Sequence, residues 1–506
     1  MRMDSERVLI GPDGLVVRQS AHGGASPRAA VWLTTPDAGS LLRPEPPVAF
    51  EPVAFEPAAG RAAGGCGNTV TIDSGSYFQG FLGCGASITD SSASLLGRLP
   101  ADRRDAVLDQ LFSRSTGIGL SYLRQPIGSS AFVAGPRYYT CDDVSSGHTD
   151  FDLAQFSVAH DEDGILPLLR QARRLNPDLK VMGTPWSAPA WMKTNGSLVG
   201  GELIDAPRYY EAYAAYLVEF VKAYERAGVP VHALTLQNEP QNRTPDVPGM
   251  HLGIAQAKRL IHALGPALRH AGLDTQIVAF DHNWSIHPDD LASVPPGQSP
   301  EEDYPFAILS DPATARWVSG TAFHCYFGEP DVQSRLHDRF PDKDVYFTEC
   351  SGSRGSVDSD AKAFADTLRW HASNVVIGAT RHWARTVITW NLALDPSGGP
   401  HANGYTDFSG LITIEDDNSF TLNAEYYALA HLSRFVRPGA RRVESVDGGG
   451  RLMSVAFRDD DGTIALLVHN TDDADQEADI RWNGLRAGLR LPGGSLVTLT
   501  WADAES

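Results

Sequence analysis

No stretch of this sequence is long and apolar enough to cross a bilayer, and the apolar run near its start, Val8-Leu9-Ile10, is cut off at once by Gly11-Pro12-Asp13. The chain therefore reads as free of membrane spans. With no signal-peptide core in view, it reads as cytoplasmic as written, or as secreted if an export signal was lost or removed. Cysteine is scarce: Cys66, Cys84, Cys141, Cys325 and Cys350 are odd in number and widely spaced, with no C-x-x-C pair and no zinc spacing, so they read as reduced thiols. Histidine never recurs as His-x-His, and His324 is the only one expected at a strand end. A clustered metal site is thus not indicated, and no cofactor is expected. Basic residues are outnumbered 42 to 62, and the net charge of −20 repels phosphate backbones and anionic membranes. Nucleic acid is excluded as a partner, and a neutral or cationic substrate fits better.

What is present is the composition of a folded protein, 42% hydrophobic and 21% charged, in a chain of 506 residues that can hold one large barrel and an appendage. Residues 1–75 carry short β-like pieces, 30–35 and 69–72, among Gly/Pro/Ala-rich linkers. They also contain a small direct repeat over 48–57 that reads as an extended crossing segment. Residues 76–437 alternate apolar strands with amphipathic segments. The strand candidates are 81–88, 119–125, 179–185, 231–237, 276–281, 319–325, 344–349 and 384–391, and eight such units close a (β/α)8 TIM barrel. Helices are expected over 102–115, 161–175, 207–227, 251–271, 361–374 and 423–436. Residues 438–506 return to alternating β runs divided by Asp/Gly turns. They predict an antiparallel β-sandwich side domain shared with the N-terminal strands, and so built from both chain ends.

In a parallel barrel the C-terminal ends of the strands converge on one mouth, which makes their residues informative. Strand four ends in Asn238-Glu239-Pro240, and strand seven ends in Glu349. Alone, Glu-Pro is a strand terminus. Two glutamates on nearly opposite strands form the pair that glycoside hydrolysis needs, one acid to protonate the departing oxygen and one carboxylate to attack the anomeric carbon. The remaining strand ends offer Asp90, Arg124, Trp186, His324-Cys325-Tyr326 and Trp390-Asn391. These are residue types that hold hydroxyls, orient a carboxylate or give a sugar an apolar platform.

The motifs Phe81-Leu82-Gly83-Cys84-Gly85-Ala86-Ser87-Ile88-Thr89-Asp90, Arg124-Gln125-Pro126-Ile127-Gly128-Ser129-Ser130, Trp186-Ser187-Ala188-Pro189-Ala190-Trp191-Met192-Lys193-Thr194-Asn195, Gln237-Asn238-Glu239-Pro240, Thr348-Glu349 and Trp390-Asn391-Leu392-Ala393-Leu394-Asp395 run in order from about residue 70 to 430. In that order they resemble glycoside hydrolase family 30, the family of lysosomal glucocerebrosidase and bacterial β-1,6-glucanases. The resemblance implies a barrel with a side β-sandwich and a retaining double displacement, with Glu239 as acid/base and Glu349 as nucleophile. It further implies that Asn238 holds the sugar 2-hydroxyl, that Asp90, Trp186 and Trp390 line the non-reducing subsite, and that Arg124, His324 and Tyr326 surround the carboxylates. Where the family often continues Ser-Ser-Asp-Phe, this chain has Ser129-Ser130-Ala131-Phe132, which removes a polar contact near the pocket.

The mechanism calls for carboxyl groups about 5–5.5 Å apart. It also calls for a low pKa at Glu349, helped by Arg124 and Tyr326, and a raised one at Glu239. The implied partner is a carbohydrate, a β-glucoside first, with β-galactoside, β-xyloside and β-fucoside as alternatives. A cysteine acyl transferase built on Cys325 or Cys350 and a sugar-binding protein without catalysis are the other readings.

Overall fold

The computed structural model describes residues 26–53, 68–353, 359–403, 405–447 and 449–503, together with the backbone of a short hairpin, Arg7–Ile10 with Val16–Gln19. Cys66 and residues 54–57 of the repeat lie outside the described residues.

The eight expected strand regions each yield one strand of a single parallel sheet: β1 (Gly83–Ser87), β2 (Tyr122–Ile127), β3 (Lys180–Pro185), β4 (Val231–Thr235), β5 (Gln276–Asn283), β6 (Val318–His324), β7 (Asp344–Glu349) and β8 (Ala384–Asn391). They pair in sequence order from β2 to β8, and β8 returns to β1. At the last seam Ser121 N–H donates to the Cys84 carbonyl at 2.9 Å. A Cβ on Gly85 would fall 2.0 Å from the Tyr122 carbonyl oxygen, so only glycine lets β1 lie this close to β2.

The strands are buried on both faces because helices cover the outside and side chains fill the inside. Tyr122, Met182, Ala233, Val278, Ala322, Tyr346 and Ile388, one from each strand from β2 to β8, form an apolar layer inside the barrel, with Leu82 just before β1 packed against it. This layer is the floor on which the polar site stands. The long helices Pro207–Arg226 and Ile254–His270 pack on each other outside, each with one apolar face. The expected helix over 361–374 is an α-helix, Asp360–Trp370, that continues as a π-helical stretch to Ala379.

The side domain is one ten-stranded sheet ordered Arg43–Ala49, Arg28–Thr34, Leu496–Ala502, Thr463–Asn470, Leu452–Arg458, Arg441–Asp447, Thr69–Gly80, Gln476–Trp482, Leu485–Leu491 and Glu51–Pro52. Its two edge strands are almost contiguous in the chain, so the sheet folds back on itself around an apolar core. In that core Phe50, Trp482 and Trp501 pack against one another. Both chain ends therefore contribute to one sheet. Buried His431, on the helix Ala424–Ser433, joins this sheet to the barrel through hydrogen bonds with Thr34 and Thr498, both at 2.9 Å.

Candidate active site

The strand ends meet at one mouth around a cavity of about 580 Å³, lined among others by Ala131, Phe132, Trp186, Asn238, Glu239, Tyr326, Glu349, Trp390 and Phe408. Beneath it lies a buried charge network centred on Asp281. Its carboxylate accepts from Arg124 at 2.9 Å, from Thr235 and Thr348 at 2.7 Å each, and meets His324 Nε2 at 3.0 Å. Arg124, with no exposed surface, also donates to Glu349 at 2.6 Å and to the Asn238 side-chain oxygen at 2.6 Å. The Tyr326 hydroxyl donates to the other oxygen of Glu349 at 3.0 Å. His324 Nδ1 meets Glu239 at 3.2 Å, and the Asn242 amide donates to Glu239 at 2.8 Å. The nearest oxygens of Glu239 and Glu349 and a ring nitrogen of His324 all lie within 4.8 Å of one another.

Local backbone presents these groups. Glu239 itself has φ of 48°, in the left-handed region, where a non-glycine residue costs roughly 1–3 kcal/mol. Its amide donates to the Asp281 carbonyl at 3.0 Å, so the strained residue is anchored to β5. On β5, Phe280 and Asp281 have φ of 71° and 68° where the pairing with β6 slips, and this bulge turns Asp281 into the barrel.

The apolar wall is equally well defined. Trp186 and Trp390 stack at 4.9 Å, with the Arg124 guanidinium 4.8 Å from the centre of the Trp186 ring. Phe132, Ala131, Val247, Leu394 and Phe408 extend the same patch. From Tyr326 an aromatic series runs outward through Phe408, at 5.8 Å, to half-exposed Tyr405, at 5.2 Å from Phe408.

Of the residues expected at the site, Glu239, Glu349, Asn238, Trp186, Trp390 and Tyr326 line the cavity, while Arg124 and His324 lie directly beneath it. Asp90 does not join them. It opens the helix Asp90–Arg98 capped by Thr89, and its carboxylate is taken by the Ala134 amide at 2.7 Å and His160 at 2.8 Å. Asp281 and Asn242 complete the arrangement without having been expected. The polar run Asp281-His282-Asn283 closing an apolar strand was the available signal for the first.

The titration behaviour runs opposite to expectation. Burial pushes Glu349 up, aided by the nearby charges of Glu239 and Asp281, and outweighs His324 and Arg124, whose cation is shared with Asp281. Burial also works on Glu239, but the His324 hydrogen bond and the charges of His282 and His324 pull it down to about 2. His324 itself, against its own desolvation, is lifted to about 9 by Glu349, Asp281 and Glu239. The reversal has a geometric cause: His324 lies one hydrogen bond from Glu239 and within reach of three carboxylates, which favour a proton on the imidazole, and that charge in turn lowers the Glu239 carboxyl. A protonated imidazole donates from both nitrogens and offers no lone pair. The Glu239–His324–Glu349 cluster, close enough by distance to hold a cation, is thus occupied by its own hydrogen bonds.

The reduced-thiol expectation fails for two cysteines. Cys325 and Cys350 form a disulfide with Cα atoms 5.3 Å apart. The parallel register that sets His324 beside Glu349 brings the next residues together, across a β-α-β crossover that hides the pairing from the sequence. Neither sulfur is a nucleophile, which removes the acyl-transferase reading. Cys84 and Cys141 are buried thiols, the former pushed up by burial to about 12. Replacing Cys325 and Cys350 together by alanine is expected to cost about 3 kcal/mol of stability, measured by denaturant unfolding.

The model of the glycosyl hydrolase family 30 TIM-barrel domain matches residues 79–436, and that of the family 30 beta sandwich domain matches residues 439–499. The chain belongs to glycosyl hydrolase family 30. This family 30 enzyme is 33% identical over 410 residues to an endo-1,6-beta-D-glucanase of Neurospora crassa, covering 78% of this chain and 79% of that one. It is 29% identical over 461 residues to the lysosomal acid glucosylceramidase of Mus musculus, covering 86% and 84%. A solved endo-beta1,6-glucanase superposes with a TM-score of 0.81 at 29% identity, over 94% of this family 30 chain and all of the other.

Proposed function

We propose that this family 30 glycoside hydrolase cleaves β-1,6-linked gluco-oligosaccharides or glucan by double displacement, with Glu349 as nucleophile and Glu239 as acid/base. One observation carries the double-displacement reading: the closest carboxylate oxygens of the pair lie within 4.8 Å of each other at the mouth, which favours the narrow separation of retaining enzymes over the wider one of inverting enzymes. Glu349, gripped by Arg124 and Tyr326, attacks the anomeric carbon. The Glu239–His324 pair holds one proton between oxygen and nitrogen and delivers it from Glu239 to the departing oxygen. In the second half, water loses its proton back to that pair. Asn238, its oxygen fixed by Arg124, leaves its amide N–H groups for the sugar 2-hydroxyl.

The leaving group must lie within reach of Glu239, hence among the loops that follow β4 and β5. Those loops present Asn242, Arg243, Thr244, His287, Asp289, Asp290 and Ser293 to the cavity. The charged and hydrogen-bonding side chains of this wall, interspersed with Pro245, Val247 and Pro248, give a sugar's hydroxyls partners that the hydrocarbon of a ceramide would leave unpaired. The names of the Neurospora relative and of the solved glucanase favour the same substrate. The Cys325–Cys350 bridge favours an enzyme that works in an oxidising compartment rather than the cytoplasm.

The test is a panel of β-1,6-, β-1,3- and β-1,4-linked gluco-oligosaccharides, glucosylceramide, and 4-nitrophenyl β-glucoside, β-galactoside, β-xyloside and β-fucoside, with the first-formed anomer followed by NMR. β-1,6 cleavage releasing the β-anomer is expected. Preference for glucosylceramide or another sugar, or release of the α-anomer, overturns the reading. Tyr405, exposed at the outer end of the aromatic series, is placed to stack on the leaving sugar. Tyr405→Ala is expected to raise KM for β-1,6-gluco-oligosaccharides about tenfold, with little change for 4-nitrophenyl β-glucoside.

A further inference from the structure

Lys193 is an unusual residue to find buried. It is 3% exposed, and among the described residues no carboxylate pairs with it. Burial pulls its pKa down to about 7. Its ammonium instead donates to three neutral oxygens, Ser187 Oγ at 2.8 Å, the Leu198 carbonyl at 3.1 Å and the Gly249 carbonyl at 2.8 Å. These acceptors belong to three separate pieces of chain. Ser187 follows Trp186 at the rim of β3. Leu198 sits in a loop that leaves and returns beside Lys193 through the Lys193–Leu203 bridge and the Thr194–Glu202 hydrogen bond. Gly249 belongs to the segment from Thr244 to Gly249 that forms part of the cavity wall.

The last two pieces lie against each other. Val199 bridges Pro248, the Gly249 amide donates to the Leu198 carbonyl at 3.1 Å, and the His251 amide donates to the Gly201 carbonyl at 3.0 Å. Together they make a two-layer strip whose inner layer faces the leaving-group side of the cavity. Neither layer is a strand of the barrel, so nothing in the barrel ladder fixes their distance from the catalytic pair. Lys193 ties both layers to the rim of β3 at one point, with one donor each to Ser187, Leu198 and Gly249. A methionine would pack in the same space without the cost of desolvating a charge.

We propose that Lys193 is a positioning residue that sets the leaving-group wall of the site, acting through Gly249 and Leu198 rather than by touching substrate. The proposal rests on the leaving group being a sugar that spans this wall. Loosening the wall therefore weakens binding of that sugar and leaves the attack of Glu349 intact.

The experiment compares the wild-type enzyme with Lys193→Met and Ser187→Ala. It uses two reagents: a β-1,6-gluco-oligosaccharide, and 2-deoxy-2-fluoro-β-glucosyl fluoride, whose leaving group is a single atom and whose attack by Glu349 is read as the rate of inactivation. For Lys193→Met, KM for the oligosaccharide is expected to rise about tenfold or more, while the inactivation rate stays within about twofold. Ser187→Ala keeps the charge and removes one acceptor, so the same pattern at about threefold is expected, and this variant decides the matter if Lys193→Met does not fold. Equal losses with both reagents, or no change in KM, overturn the proposal. If the wild-type enzyme leaves β-1,6-linkages intact, the substrate reading has failed instead, and the comparison is made with whichever disaccharide it does cleave.

Discussion

Glu349→Ala is expected to lower kcat by about four to six orders of magnitude, because the covalent intermediate can no longer form and the route through two easier barriers is lost. The fold should survive, since Arg124 keeps Asp281 as a buried partner after the carboxylate is removed. The space left is next to the anomeric carbon, so azide can enter and attack directly. With an activated aryl β-glucoside, azide is expected to restore turnover in part and to give the α-glycosyl azide, identified by NMR. Retained activity without azide, or a β-azide product, would falsify the assignment of Glu349 as nucleophile.

Glu239→Ala should behave differently in a diagnostic way. Loss of a general acid costs about 10²–10⁴ in rate when the leaving group needs a proton and much less when it does not. Hydrolysis of β-1,6-gluco-oligosaccharide is therefore expected to collapse while the first step on 2,4-dinitrophenyl β-glucoside persists and the glycosyl-enzyme accumulates. Azide should now release a β-glycosyl azide, since the anomeric centre is inverted twice. The pH profile carries the same information. His324 is raised to about 9 and Glu239 held down to about 2, so the pair keeps its shared proton until pH rises through about 9, and kcat/KM should fall there. The acidic limb belongs to Glu349, which burial has raised and which must be ionised to attack. His324→Gln is expected to move the alkaline limb. A limb that stays in place would show that the imidazole does not hold the proton.

The barrel was legible because its strands are buried on both faces and so appear as apolar runs, each ending where polar residues begin. The same rule identified Glu239 and Glu349, since a strand end in a parallel barrel has only one mouth to face. It stopped short at β5, whose last residues depend on a bulge. Left-handed backbone at Phe280 and Asp281 has no signature in a sequence without glycine there. Asp90 was hard to place for a related reason: a polar residue just past a strand end can point into the mouth or be tied to a loop, and its contact with His160, far away in the chain, has no signature in the sequence. The Cys325–Cys350 bond follows from a register between parallel strands, which spacing alone cannot supply. The direction of the two pKa shifts depended on where a third group put its proton, a question of distances.

The sheet that draws on both chain ends also has a consequence for biosynthesis. Thr69–Gly80 needs Arg441–Asp447 as its neighbour, and Arg28–Thr34 needs Leu496–Ala502. About 360 residues of barrel are made between the first pair, which at ribosomal speeds of about 5–20 residues per second leaves Thr69–Gly80 unpaired, and Arg28–Thr34 paired only with Arg43–Ala49, for tens of seconds. Until the barrel is complete, their edges are open to any other chain. In the cell, holdase chaperones that shield those early strands are expected to raise the soluble yield of this enzyme, measured by expression with and without them.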